Sequence, residues 1–184
     1  MKLTVKNVRL AFPDLWVATT VKGEGKPAFG ASFLLPKDHP QVAAIKEAIK
    51  QTAVDKWGAK ADQVLKASKA KDRYPLHDGD TKAQYSGYEG NLYISARNAS
   101  RPKVRDRDGT TDLTQADGKP YSGCYVNAVL EFYAQNNSYG QHVNATLLGV
   151  QFIKDGEAFA GGGTAADDDF EDMGADTEAE DELF

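Results

Sequence analysis

Cys124-Tyr125-Val126-Asn127-Ala128-Val129-Leu130-Glu131-Phe132-Tyr133 alternates without a break, with Cys124, Val126, Ala128, Leu130 and Phe132 forming an apolar row. Tyr125, Asn127, Val129, Glu131 and Tyr133 form the other row. Successive side chains of a strand point to opposite faces, so this run reads as a strand with one face in a core. The same period recurs on both sides of it. Leu3, Val5, Val8, Leu10 and Phe12 alternate with one slip at Asn7, which predicts a bulge and assigns Phe12 to the core. Phe29, Ala31, Phe33 and Leu35 mark a further strand after a Gly23–Pro27 loop. Leu92, Ile94 and Ala96 mark another, with Tyr93, Ser95 and Arg97 on its opposite face. A last strand covers about 143–153, through Leu147, Leu148, Val150 and Phe152.

One segment departs from this period. Val42, Ile45, Ile49, Ala53 and Trp57 follow helical spacing. Asp38 is placed to cap that helix, Pro40 suits its first turn, and Gly58 ends it. A shorter helix is expected at about 60–70. The order is strand, strand, helix, then three or four strands. That is a mainly β fold: an OB-fold-like antiparallel barrel with an inserted helical segment. A two-sheet sandwich fits the same periodicity nearly as well.

The chain has 184 residues, 41% of them hydrophobic, with a mean hydropathy of −0.53. This allows one real core and leaves room for a polar extension. No window approaches the roughly 18 apolar residues of a membrane span, and Met1-Lys2-Leu3-Thr4-Val5 carries no secretory apolar stretch. Membrane association is therefore not expected. Cys124 is the sole cysteine, which excludes an internal disulfide and a cysteine-rich zinc site and fits a cytosolic compartment.

The formal charge of −5 hides a segregation. No Lys or Arg follows Lys154, and residues 165–184 hold ten acids. Residues 1–164 keep 17 acids against 22 bases, a body of +5. The run 161–163 is all glycine and reads as a hinge. The expected organisation is a binding body over 1–158 and a flexible, disordered acidic tail over 159–184.

Three constellations point to polyanion binding. Arg97, Arg101, Lys103, Arg105 and Arg107 crowd eleven residues, four of them at alternate positions. On a strand they would form a row suited to tracking phosphates. Charges and Pro102 also protect an edge strand, but that needs one or two charges, not a row. Asp108-Gly109 then makes a turn. The second constellation is aromatic: Tyr93, Tyr121, Tyr125 and Tyr133 lie near cations, and stacked rings bind bases of any type. Tyr139, in the Asn136–Ser138 loop, belongs to the same set, and Trp16 and Phe12 are weaker members. Lys22 and Lys26 would clamp the backbone from a glycine-bearing loop. The third is the terminus, Asp181-Glu182-Leu183-Phe184, an acidic segment ending in an aromatic residue. It suits a basic pocket with an apolar floor, and its charges can compete with phosphates for the body.

Asn91–Arg97, Arg101-Pro102-Lys103-Val104, Tyr121–Val126, Leu148-Gly149-Val150-Gln151-Phe152, Gly156-Glu157-Ala158-Phe159 and the acidic tail closing on Phe184 resemble recurring segments of bacteriophage single-stranded DNA-binding proteins. The resemblance covers most of the chain. It implies an OB fold, sequence-tolerant ssDNA binding, and tail contacts with replication or recombination proteins. It implies no catalytic residue, no cofactor and no metal, and action in the bacterial host cytoplasm. Self-association is compatible with it. The helical segment at 38–70 exceeds a minimal OB barrel.

The expected function is therefore coating and protection of ssDNA in phage replication, recombination or repair, without enzymatic turnover. A strand-annealing protein and a protein-binding module without nucleic-acid affinity are the alternatives. Metal readings are weak. Asp106, Asp108 and Asp112 sit beside arginines, and their glycine comes too early for a calcium loop. His77, Asp78 and Asp80 lie in a Pro/Gly-rich stretch, and His39 and His142 have no zinc spacing.

Overall fold

The computed structural model describes residues 1–21, 23–138, 140–159 and 170–174. Lys22, Tyr139, the glycine run 161–163 and the terminus 181–184 lie outside them. Among the described residues there are seven strands and two α-helices: β1 (Lys2–Val21), β2 (Glu24–Pro36), α1 (Val42–Trp57), α2 (Ala61–Ala70), β3 (Leu76–Asp78), β4 (Asn91–Asn98), β5 (Lys103–Arg105), β6 (Tyr125–Asn137) and β7 (Gly140–Lys154). β1 pairs antiparallel with β2 and β6, β2 with β4, and β6 with β7. β4 meets β7 in parallel at Arg97–Thr146. That contact closes the ring β1–β2–β4–β7–β6, so the alternation belongs to a five-stranded barrel and not to a sandwich. β3 adds to β4, and β5 runs parallel to β7.

The apolar rows point inward. Cys124, Val126, Ala128, Leu130 and Phe132 meet Val5, Val8, Leu10, Phe33, Leu35, Ile94 and Ala96 in one core. The slip at Asn7 is a bulge: pairing jumps from Val5–Ala128 to Val8–Val126. Asn7 has φ 55, a left-handed conformation that asparagine tolerates, and its N–H donates to Asn127 Oδ1 at 2.9 Å.

A second irregularity overturns the core assignment of Phe12. Between Ala11 and Asp14 the β1–β2 register shifts, and Phe12 takes φ 48. The left-handed twist turns its ring outward, where it is 55% exposed, and Leu15 occupies the interior instead. The expected Gly23–Pro27 loop is also shorter than read. β2 begins at Glu24 and pairs with Val21, so β1 and β2 extend as a long hairpin arm.

Helix α1 begins at Val42, and Asp38 does not cap it. The Gln41 side chain is spent on β1, donating to the Thr4 carbonyl at 2.8 Å and accepting the Lys6 N–H at 2.6 Å. His39 Nε2 contacts the Lys6 carbonyl at 2.8 Å. The turn before the helix is thus stapled to the bulge, and the helix starts after the staple. Ile45, Ala48, Ile49 and Ala53 then bury one face against Phe132, Val143, Ala145 and the rest of the core. Gly58 stops it at φ 56. α1 packs mainly on β6 and α2 on β7.

Candidate nucleic-acid interface

The outer face of β1, β2 and β4 is laid out by register. Its rows are Arg9–Leu34–Tyr93, Ala11–Ser32–Ser95 and Asp14–Gly30–Arg97. Small residues keep the middle low, with Ser32 and Ser95 hydroxyls 2.8 Å apart. Gly30 has to be small, because a Cβ there would meet the Ala96 carbonyl at 2.8 Å and Arg97 Cγ at 2.9 Å.

Over one end of this face, residues 79–90 fold back and deposit two tyrosines. Tyr88 stands edge-on to Tyr93 at 5.1 Å, Tyr85 to Tyr88 at 5.8 Å, and Phe12 to Tyr85 at 5.2 Å with the rings 85° apart. His77 stacks on Tyr93 at 4.8 Å. The cluster has two tiers. Tyr88 and Tyr93 are 2% and 3% exposed, and burial raises the pKa of both hydroxyls. Phe12 and Tyr85 sit above them at 55% and 42%. Tyr93 therefore supports the platform from beneath and presents no ring to solvent, contrary to its expected role. Tyr85 and Tyr88 escaped sequence reading because an irregular segment has no period; Phe12 was ranked only a weaker stacking candidate because its period placed it in the core, and one dihedral reverses that.

Cations flank the platform. At one end Arg9 donates to the carbonyls of Gly123 (3.1 Å) and Glu157 (2.6 Å) and lies 4.2 Å above the Phe159 ring. Arg9 and Lys154 both cover Tyr125, at 5.5 and 4.6 Å. A cleft of about 790 Å³ opens there, lined by Lys6, Arg9, Leu34, Pro36, Asn91 and Tyr125 among others. At the other end Arg97 donates to the Thr19 carbonyl at 2.6 Å. Arg101 donates to the Trp16 carbonyl at 2.9 Å and lies over Phe29 at 5.6 Å. Lys26 is exposed on the hairpin arm.

Residues 155–159 strap down beside Arg9. The Phe159 N–H donates to the Ser122 carbonyl at 3.1 Å, and its ring packs on the Leu34–Tyr88–Tyr93 cluster. Gly123, at φ 103, lies against this strap, and a Cβ there would run into the Glu157 carbonyl. The packed body thus runs through Phe159.

The single groove expected from the cation row is divided. Only Arg97 and Arg101 lie with the platform. Lys103 and Arg105 follow β7, whose outer face, with that of β6, is opposite β2 in the five-stranded ring. Lys103 is exposed, and Arg105 is ion-paired with Asp112 at 2.5 Å. Arg107 donates to the Ile153 carbonyl at 2.7 Å. A groove of about 550 Å³ lies on that opposite side, floored by Val129, Leu148 and Gly149 and edged by Lys2, Lys103, Arg105 and Gln151. Tyr133 projects from the same face of β6. Tyr121 is half-buried, and its hydroxyl donates to Asp155 at 2.7 Å.

The carboxylates considered for metal binding are otherwise engaged. Asp108 accepts the N–H groups of Thr110 (2.9 Å) and Thr111 (2.8 Å) and the Thr111 hydroxyl, which hold its pKa down to about 2. Asp80 pairs with Lys37 at 3.1 Å and accepts the Gly90 N–H at 2.7 Å. Among the described residues no three His, Cys, Asp or Glu side chains converge as a metal-ligand set.

Comparison with known proteins agrees with this fold. A family model described as the ssDNA-binding protein of Enterobacter phage Enc34 matches residues 1–184. Putative protein p50 of Acyrthosiphon pisum secondary endosymbiont phage 1 is 48% identical over 183 residues, 98% of each chain. Among solved structures, the single-stranded DNA-binding protein of bacteriophage Enc34 in complex with ssDNA superposes with a TM-score of 0.73 at 29% identity, covering 86% of this chain and 89% of that one. The gp2.5 single-stranded DNA-binding protein encoded by bacteriophage T7 shares the fold, with a TM-score of 0.55 at 13% identity over 83% and 91% of the two chains.

Proposed function

Because this chain belongs to the family of the Enterobacter phage Enc34 ssDNA-binding protein, we propose that it coats single-stranded DNA during phage replication by laying bases on Phe12 and Tyr85. The observation that carries this reading is the exposed ring pair seated on a buried aromatic tier and bracketed by cations. Every base offers a flat face, so two exposed rings bind without regard to sequence. Arg97, Arg101 and Lys26 at one end, and Lys6 and Lys154 at the other, hold the phosphates. Tyr125 extends the stacking surface beside Lys154. Lys22 and Tyr139 adjoin described parts of the chain and remain candidates for the same role. The fold supplies a scaffold for this binding, without turnover, cofactor or metal, in the host cytoplasm where phage DNA is copied.

The acidic tail competes for the same cations. Its ten charges are tethered to a body whose platform lies beside the strap. Its last residues, Asp181 to Phe184, serve protein partners. Fluorescence anisotropy with an unstructured oligonucleotide tests the reading. Affinity should fall with salt, with a log–log slope of about −0.7 per phosphate held. Removal of residues 165–184 should raise affinity. A flat salt response, or weaker binding by the truncated chain, contradicts it.

The cationic groove across the barrel favours a second activity, strand annealing. Lys2 and Lys103 would hold a second strand by its phosphates while the platform holds the first. Complementary oligonucleotides should then pair faster with the protein than without, and Lys103→Glu should abolish the gain while leaving platform binding intact. Unaltered pairing rates exclude it.

A further inference from the structure

The excess positive charge of the body does not sit with the rings. Between Val42 and Arg73 the sequence has eight bases against four acids, four of the five excess charges of residues 1–164. Five of the eight bases ride on α1 and α2, which pack mainly on β6 and β7, with a smaller contact between α1 and β1. Lys46 and Lys50 stand one turn apart on α1, facing Lys66 and Lys69 on α2 across a groove of about 340 Å³. Leu65 and Tyr74 line its apolar part, and Asp62 is its one acid. All four lysines are exposed, and among the described residues no carboxylate forms an ion pair with any of them. Lys69 Nζ caps the Tyr74 ring at 4.5 Å, and that ring is buried.

We propose that this groove receives the C-terminal Asp181-Glu182-Leu183-Phe184 of a second copy of the chain. The ligand matches the site in both parts. Four cations face a segment that carries Glu180, Asp181 and Glu182, and the Leu65 floor takes the Phe184 ring. Nucleic acid fits less well, because the one aromatic ring in the groove is covered and has no face to offer a base. The source is a neighbour for a reason of placement. The strap ends at Phe159 on the platform side of its own barrel, beside the cations Arg9 and Lys154. Twenty-five residues follow Phe159, a contour of up to about 80 Å, enough to reach an adjacent copy on the same strand. Once DNA covers the platform and displaces the tail, the tail is available to join neighbours.

The test uses full-length chain. Phe184→p-benzoylphenylalanine in unlabelled protein is mixed with ¹⁵N-labelled wild type and a saturating unstructured oligonucleotide that covers the platform, irradiated, and mapped by mass spectrometry; both arms are run in this DNA-bound state. Cross-links should run from position 184 to labelled peptides containing residues 46–50 or 62–74. Cross-links confined to the same copy, cross-links to the Phe12 and Tyr85 segments, or no protein cross-link at all would each overturn the proposal. In a second arm, Lys50→Glu with Lys66→Glu should weaken self-association in sedimentation velocity by about tenfold, the effect of losing two or three surface ion pairs. Affinity for a short oligonucleotide should change by less than about threefold, since salt screens charges beyond about 8 Å. Lost oligonucleotide affinity with intact self-association would make the groove a nucleic-acid surface and sink the idea. The oligonucleotide measurement reports on the platform separately, so failure of either reading is visible alone.

Discussion

Phe12 offers the sharpest test, because its backbone and its ring make opposite demands. With 55% of its surface exposed, a little under half is covered, about 90 Å² of the ~200 Å² a phenylalanine carries. At about 25 cal/mol per Å² that burial contributes about 2 kcal/mol. The φ of 48 costs a bulky residue about 1–2 kcal/mol, and glycine adopts it without penalty. Phe12→Gly removes both terms, which cancel to within about 1 kcal/mol and move Tm by only a few degrees. Phe12→Ala loses the ring and keeps the strain, so it should be the less stable variant by about 1 kcal/mol. Both lose the same stacking, about 1–3 kcal/mol per base, or about five- to 150-fold in ssDNA affinity. Thermal unfolding and oligonucleotide anisotropy, run on wild type and both variants, read the two effects separately. If alanine proves as stable as glycine, the strain is not there. If either variant binds ssDNA like wild type, the ring does not face the DNA.

Three further outcomes follow from the same geometry. Arg101→Ala should weaken ssDNA binding and reduce the salt slope by about 0.7, whereas Arg105→Ala, already neutralised by Asp112, should leave the slope unchanged. Gly123→Ala should lift the strap, lower stability by about 1–3 kcal/mol and speed amide exchange over residues 155–159; unchanged exchange would contradict the contact. Burial of His77 against Tyr93 lowers its pKa, and the Asp72 contact only partly opposes this. The folded state therefore prefers neutral imidazole. Stability should be full above the ordinary value near 6.5 and decline as pH falls below it, and His77→Gln should flatten that part of a Tm–pH profile.

Much of the barrel was legible because its strands alternate. The Cys124–Phe132 row, the Asn7 slip, the two faces of β4 and the α1 stripe all lie where the period puts them. What escaped depends on closure or on single dihedrals. Leu15 replaces Phe12 inside because a bulge intervenes, and no hydropathy pattern reports φ. The cation row was read as one strand face. Only Lys103–Arg105 is strand, and its parallel docking on β7 carries it around the barrel from Arg97 and Arg101. Tyr85 and Tyr88 come from a segment without regular structure, so nothing in their spacing marked them for the platform.

The join between β4 and β7 has a mechanical consequence. Elsewhere the ring is stitched by ladders, but here the wall is held by the bridge at Arg97–Thr146 and by Asn98, whose amide donates to the Leu147 carbonyl at 2.9 Å. A cylinder fastened at one button unrolls there before it comes apart anywhere else. Because β4 carries Tyr93 beneath the upper rings, such a breath would tilt the floor on which the bases rest, and grip on the strand would loosen well before the protein melts.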